Sequence, residues 1–206
     1  MQAFTQIKGV AAPIHEPNVD TNQICPTRFN KVSRGPEYAR VLFHDRRFNL
    51  DGSEKEHLLN IDPYNRAQII VADRNWGCGS SRESAVYALY EFGIRCVIAT
   101  SFGDIHANNC AKNGLLPVIL SEAEVLELHQ QLALKPGAEI AVDLATQSVT
   151  APNGRVFQFD IHPVRKLCLL KGLDDIARTE QYADAAQAFH AHYDRERPWL
   201  KPLSAH

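Results

Sequence analysis

The sequence predicts an α/β fold with a parallel-strand core, extended by an antiparallel hairpin and followed by C-terminal helices. Three observations carry this. Residues 67–72 and 95–99 are short apolar runs of buried-strand length, and each is followed by a turn and then by a helical pattern. Residues 115–120 supply a third run, and strand–helix–strand–helix–strand in this order implies parallel pairing with right-handed crossovers. Residues 139–144, 147–150 and 156–159 alternate at strand period instead, with Pro152-Asn153-Gly154 as a tight turn.

Taken in order, residues 4–14 end in Ala11-Ala12-Pro13 and predict an opening strand. The stretch from Pro17 to Pro26 is dense in turn formers and predicts a fixed polar loop rather than a helix. Within it, Asp20, Thr21 and Asn22 either bond their own backbone or face another polar turn in space. Arg28, just beyond, is a second anion contact or a surface arginine. Residues 31–60 are charged and carry Phe43-His44-Asp45-Arg46-Arg47-Phe48. They suit a substrate-covering loop with Arg46 and Arg47 at its mouth, a partner surface, or a loosely ordered insertion.

The turn after residues 67–72 is Gly77-Cys78-Gly79-Ser80-Ser81-Arg82-Glu83-Ser84. The helix behind it has Ala85, Val86, Ala88, Leu89 and Phe92 at helical spacing and stops at Gly93. A strand-to-helix turn concentrates unpaired backbone N–H groups and the positive end of a helix dipole, which favours an anion. Gly77 and Gly79 let the backbone bend close to a ligand, Ser80 and Ser81 add hydroxyls, and Arg82 adds a planar fork for a carboxylate. Two readings stand side by side: a pocket wall for a small acidic molecule, or a serine N-cap with Arg82 and Glu83 as solvated first-turn charges. There is no Gly-Lys-Ser/Thr for a phosphate loop and no Gly-x-Ser-x-Gly for a nucleophile elbow.

The second unit repeats the plan. Thr100-Ser101-Phe102-Gly103-Asp104 is its turn, and a short helix runs through His106 and Asn109 to the stop at Asn113-Gly114. Ligands on parallel sheets bind outside the carboxyl ends of the strands, so the turns at 80–82 and 100–104 should be neighbours. Pro117 puts the third strand at an edge or makes it start there. Ser121-Glu122-Ala123-Glu124 is a capping box opening a helix with Val125, Leu128 and Leu132 on one face. Helices follow at about 163–171 and 180–193, the last with Tyr182, Ala185, Ala186, Phe189 and Tyr193 on one side, and residues 198–206 form a tail.

A net charge of −2 over 206 residues argues against a broad nucleic-acid footprint. No apolar run approaches membrane-spanning length and the first residues lack signal-peptide shape, so the expected address is the cytoplasm. Cys25, Cys78, Cys96, Cys110 and Cys168 are scattered, with no C-x-x-C pair, and the nine histidines show no metal-ligand spacing. No metal ligands are expected from this pattern, and any iron–sulfur chemistry would sit on another chain.

Three segments in this order resemble the small-subunit family of bacterial 3-isopropylmalate dehydratase, the separate swivel domain of the aconitase superfamily. They are Asn18-Val19-Asp20-Thr21-Asn22-Gln23-Ile24, the 77–83 turn, and Ser101-Phe102-Gly103-Asp104 continuing through Asn108 to Pro117. The resemblance implies a single swivel-type β/β/α domain over 1–206, with a loop insertion at about 31–60 and a C-terminal helical extension at about 163–206. It implies a hydro-lyase of leucine biosynthesis, active only with a large subunit that holds a 4Fe–4S cluster, on a small hydroxy dicarboxylic acid. By the same carry-over Ser80 is the base, and Ser81, Arg82, Thr21 and Arg28 bind substrate. Asp20, Asn22, Gly77, Gly79 and Glu83 support them. Three positions depart from the usual family form: Asn22 replaces an acid, Thr27 a lysine and Ser84 a histidine. Those departures keep two alternatives open. One is a paralogous hydratase for a citraconate-, dimethylmalate- or homoaconitate-type acid; the other is a non-catalytic accessory subunit.

Overall fold

The computed structural model describes residues 1–79 and 81–200. Its elements run β1 (Gln6–Ile14), α1 (Thr21–Ile24), α2 (His44–Arg47), β2 (Ile69–Ala72), α3 (Ser84–Phe92), β3 (Cys96–Ala99), α4 (Asp104–Lys112) and β4 (Leu116–Ile119). Then follow α5 (Glu122–Leu134), β5 (Glu139–Asp143), β6 (Ser148–Thr150), β7 (Val156–Gln158), α6 (Pro163–Lys171), α7 (Asp175–Glu180) and α8 (Ala183–Glu196). The strands form one sheet in the order β4-β3-β2-β1-β5-β6-β7. Strands β1 to β4 pair in parallel and β5 to β7 continue antiparallel from β1. The expected mixed architecture is therefore present, and Pro117 lies on the edge strand β4, where its missing N–H breaks no ladder.

The central parallel strands β2 and β3 are buried on both faces, and the period of two sorts their side chains into two cores. Ala12, Ile70, Ala72, Val97 and Ala99 face one core together with α3 and the segment that precedes β2. Ala11, Ile69, Val71, Cys96 and Ile98 face the other, with α5, the β5–β7 sheet extension and Leu169 of α6. The glycine after α3 has φ +117° and closes the helix by donating to Leu89 and Tyr90 carbonyls. The capping box at Ser121 is formed, with Ser121 N–H on Glu124 Oε2 at 2.9 Å.

Three expectations need correction. The stretch from Pro17 to Pro26 is not loop throughout: Asp20 caps a single helical turn, accepting from the N–H groups of Asn22 and Gln23 at 2.7 and 2.8 Å, while Gln23 Oε1 accepts from Asp20 N–H. A capping box can close a turn too short to show any periodicity. Residues 31–60 are exposed at 31–34 and 49–56, but the segment also sends apolar side chains inward. Tyr38, Val41, Leu42, Phe43 and Leu59 are buried in the first core and Phe48 is buried as well, connected by 3₁₀ turns whose apolar spacing matches neither template. The final helix begins at Ala183 rather than Glu180, because Asp174 caps a separate α7 ahead of it. Along α8 the apolar side is exposed, with Tyr182 and Phe189 outward.

Arg47 shows why the 31–60 segment is ordered. It is buried, and its guanidinium donates to Asn60 Oδ1 at 2.8 Å and to the carbonyls of Ala39 and Leu42 at 3.1 and 3.0 Å. Burial pulls its pKa down to about 10. Asn60 reciprocates by donating to the Arg47 carbonyl at 2.8 Å. Replacing Arg47 by Ala strands these acceptors, so Arg47→Ala is expected to cost about 3 kcal/mol in urea unfolding. A loss within ~0.5 kcal/mol would show the segment to be held by its apolar residues alone.

Candidate functional site

Three stretches far apart in sequence meet at the carboxyl ends of β1, β2 and β3. The loop after β1 lies along the turn after β2: Gly77 N–H donates to the Val19 carbonyl at 2.8 Å, and Thr21 N–H to the Cys78 carbonyl at 2.9 Å. The turn after β3 lies on its other side, with Trp76 N–H on the Ser101 carbonyl at 3.0 Å and Gly103 N–H on the Trp76 carbonyl at 2.8 Å. The predicted adjacency of the two turns is thus seen in the backbone itself. Asn109 of α4 adds a side-chain tie, donating to the Ser81 carbonyl at 3.1 Å.

Gly77 is required twice over. Its φ is +70°, and a Cβ there would lie 2.1 Å from the buried ring of His106. Gly79 also has positive φ, at +96°, in a more open place beside Asp20 and Thr21. Beneath the turn Trp76 is fully buried, and Phe43 meets it edge-on at 6.1 Å between centroids. Phe43 itself adopts a left-handed conformation with φ +48°. Phe43 of the 31–60 segment therefore packs beneath the turn.

Arg82 is the centre of the polar surface. Its Nη2 donates to Asn22 Oδ1 at 2.5 Å and its Nη1 to Thr27 Oγ1 at 2.7 Å, while Thr27 Oγ1 also donates to Asn22 Oδ1 at 2.7 Å. Asn22 and Thr27 thus close one triangle with the arginine. Because Asn22 is neutral, the guanidinium is oriented without its charge being cancelled there. Thr21 is buried between the two loops, and Asp20 is occupied in capping α1.

The remaining site residues are placed differently. Glu83 stands at the N-cap of α3 without a side-chain cap, and its carboxylate accepts from Tyr87 at 2.5 Å. Ser81 is exposed and two residues ahead of that cap, so the capping reading does not describe it. Ser80 lies outside the described residues. Arg28 makes a two-pronged pair with Asp45, whose carboxyl is held below its usual range by the Arg28 bond. Arg46 is likewise engaged, by Glu16 at 2.6 and 2.8 Å. Sequence reasoning missed Asn109 and His106 as parts of the site. Nothing in their spacing marks them, since one reaches a backbone carbonyl and the other fills the space a Cβ would need.

The thiols do not form a cluster-binding set. Cys25, Cys96 and Cys110 are buried, and burial pushes Cys96 and Cys110 well above the usual thiol range, the opposite of a thiolate ligand. Cys78 is half-buried, with Sγ on the Asn18 carbonyl at 3.6 Å.

Comparison with known proteins gives a consistent result. Residues 1–123 match the family described as aconitase C-terminal domain, and residues 127–163 match one described as LeuD_N. A Roseobacter denitrificans protein named 3-isopropylmalate dehydratase small subunit is 45% identical over 97% of this chain and 100% of its own length. A Jannaschia protein of the same name is 46% identical over the same shares. Among solved structures, that of 3-isopropylmalate dehydratase (leuD) from Methanocaldococcus jannaschii superposes with a TM-score of 0.65 at 25% identity. That alignment covers 89% of this chain and 98% of the other.

The buried His106 under Gly77 gives the site an acid limit. Burial holds its pKa at about 4 against an ordinary 6.5, and neither ring nitrogen has a hydrogen-bond partner among the described residues. With the folded value depressed, the unfolded chain takes the proton first. The stabilisation is whole above pH 6.5 and is lost as pH falls from there toward 4. Roughly 3 kcal/mol is at stake for this one group. His57, also held at about 4, contributes in the same direction. Urea unfolding across this range should show stability falling on acidification, and His106→Leu should flatten part of that slope. An unchanged slope in the variant would remove His106 as its source.

Proposed function

The chain belongs to the 3-isopropylmalate dehydratase small-subunit family of the aconitase superfamily, and from that premise we propose how its surface serves the reaction. It is the small subunit of a hydro-lyase that interconverts 2-isopropylmalate and 3-isopropylmalate by dehydration and rehydration. The single observation that carries the reading is the Arg82 fork, held by Asn22 and Thr27 at the junction of the two loops. That junction lies before the N-terminus of α3, where the helix dipole adds to the attraction for a carboxylate.

The chemistry needs three things: a base for a C–H proton beside a carboxylate, cations for the carboxylates, and an acceptor for the departing hydroxyl. Ser80 is proposed as the base. It takes the proton as the C–O bond on the neighbouring carbon breaks and the double bond forms, and it returns the proton on rehydration. Arg82 and Ser81 hold a substrate carboxylate, and Arg82 makes the serine alkoxide less costly. Thr21 and Asn22 orient this group from the first loop, with Asp20, Gly77, Gly79 and Glu83 shaping the turn. Arg28, paired with Asp45 beside the same loop, is a second anion contact that a doubly charged substrate would draw away.

The hydroxyl acceptor is proposed to be a 4Fe–4S cluster on the large subunit, since among the described residues no three thiols of this chain gather as a ligand set. Completion of the site at an interface follows from this. Among the described residues no helix is long and apolar enough to cross a membrane.

Reconstitution with a cluster-bearing large subunit tests the reading against a panel of isopropylmalates, citraconate and related acids. Isopropylmalate turnover should fall by at least ~10³-fold in Ser80→Ala and ~10²-fold in Arg82→Lys, which keeps charge but loses the fork. Full activity of Ser80→Ala would leave an accessory subunit. Preference for another acid would move the chain to a paralogous hydratase. Asn22→Asp converts the triangle into an ion pair, so KM should rise as Arg82 is drawn toward the new carboxylate. An unchanged KM would separate Arg82 from substrate binding.

A further inference from the structure

Away from that turn, a second set of side chains meets on the other side of the strand ends. The register of β1 on β2 pairs Ile14 with Ala72, so the next residues, His15 and Asp73, leave the sheet side by side. Helix α5 packs across β1 and β2 and brings His129 from its buried face to the same point. His15 Nδ1 lies 3.0 Å and His129 Nε2 3.3 Å from Asp73 Oδ1. The donor atoms of all three residues fall within 4.8 Å of one another.

We propose that His15, Asp73 and His129 form a binding site for a divalent transition-metal ion, with zinc as the fitting case. Two imidazole nitrogens and one carboxylate oxygen are a donor set that suits zinc and leaves a position for solvent. Donors held 2.0–2.2 Å from a tetrahedral ion stand roughly 3.3–3.6 Å apart, close to the spacing here. The second observation is His129 itself. It is only 7% exposed, and neither of its ring nitrogens has a hydrogen-bond partner among the described residues. Its Nε2 is near enough to Asp73 for a hydrogen bond but not directed as one, whereas a shared cation would satisfy the lone pair.

His15 is exposed, which gives an entry path, and a cavity of about 370 Å³ lined by His15, Asp73, Thr100 and Glu122 adjoins the cluster. The ion would fasten the roots of two loops, since Asn18 N–H donates to the Arg74 carbonyl at 3.0 Å just beyond. Its role is that of a clip between β1, β2 and α5. It does not depend on the dehydratase reading. The pattern 15, 73, 129 has no motif spacing, which is why no metal ligands were expected from the sequence.

The test uses the tag-free full chain near neutral pH, titrated with Zn²⁺ against a chromophoric chelator and with Co²⁺ for its absorption spectrum. One Zn²⁺ per chain is expected, with a higher thermal midpoint and a four- or five-coordinate Co²⁺ spectrum lacking thiolate charge transfer. His15→Ala, at the surface, and Asp73→Asn, which keeps the side chain's shape, should each weaken Zn²⁺ binding by at least about tenfold. His129→Phe keeps the buried volume and should do the same. The inference is overturned by three results: no stoichiometric binding, unchanged binding in all three variants, or thiolate bands in the Co²⁺ spectrum. Loss of binding confined to His192→Ala, which would place the ion on the His192–Glu196 pair of α8, also overturns it.

Discussion

The structure depends on a close approach of backbones at Gly77. Its N–H is spent on the loop after β1, the carbonyl of the preceding Trp76 on the turn after β3, and the ring of His106 occupies the place where a side chain would begin. Gly103 completes the contact from the other side: a Cβ there would lie 2.8 Å from the Gly77 carbonyl. Three loops are thereby joined through main-chain atoms, whose positions are far better determined than those of long polar side chains. The polar groups above inherit this rigidity. Arg82 can hold a fixed direction because the two loops carrying its partners cannot slide past the turn that carries it.

The site is built with charges balanced away from its centre. Arg28 is paired with Asp45, Arg46 with Glu16, and Arg47 is buried among neutral acceptors. Arg82, by contrast, donates to the neutral Asn22 and Thr27. A carboxylate arriving there meets a guanidinium already oriented by hydrogen bonds to Asn22 and Thr27. This gives the family departures a physical sense. Asn22 and Thr27 touch each other as well as the arginine, so they act as a unit.

Much of this was legible beforehand, and for definite reasons. Strands β2 and β3 announced themselves because a strand buried on both faces must be apolar along its length. The helix stops at Gly93, Gly114 and Gly172 were readable because φ values of +117°, +78° and +68° suit glycine alone. The 31–60 segment was not legible. Its residues enter the core through 3₁₀ turns with no fixed period, and Arg47 disguises a buried position as an exposed one. The one-turn helix α1 was hidden for a related reason, since four residues are too few to display periodicity.

What the sequence determined by itself is local: strand and helix identity, the glycine turn, the capping box at Ser121, and the family that these motifs share. Each rests on residues within a few positions of one another, where backbone sterics and hydrogen-bond periodicity act. What only the tertiary structure decided is which distant side chains meet. Asn22 and Thr27 find Arg82, Asn109 finds the Ser81 carbonyl, and His15, Asp73 and His129 share a point at the ends of two strands. Strand register and helix packing set those meetings, and they are properties of the whole sheet that no spacing along the chain records.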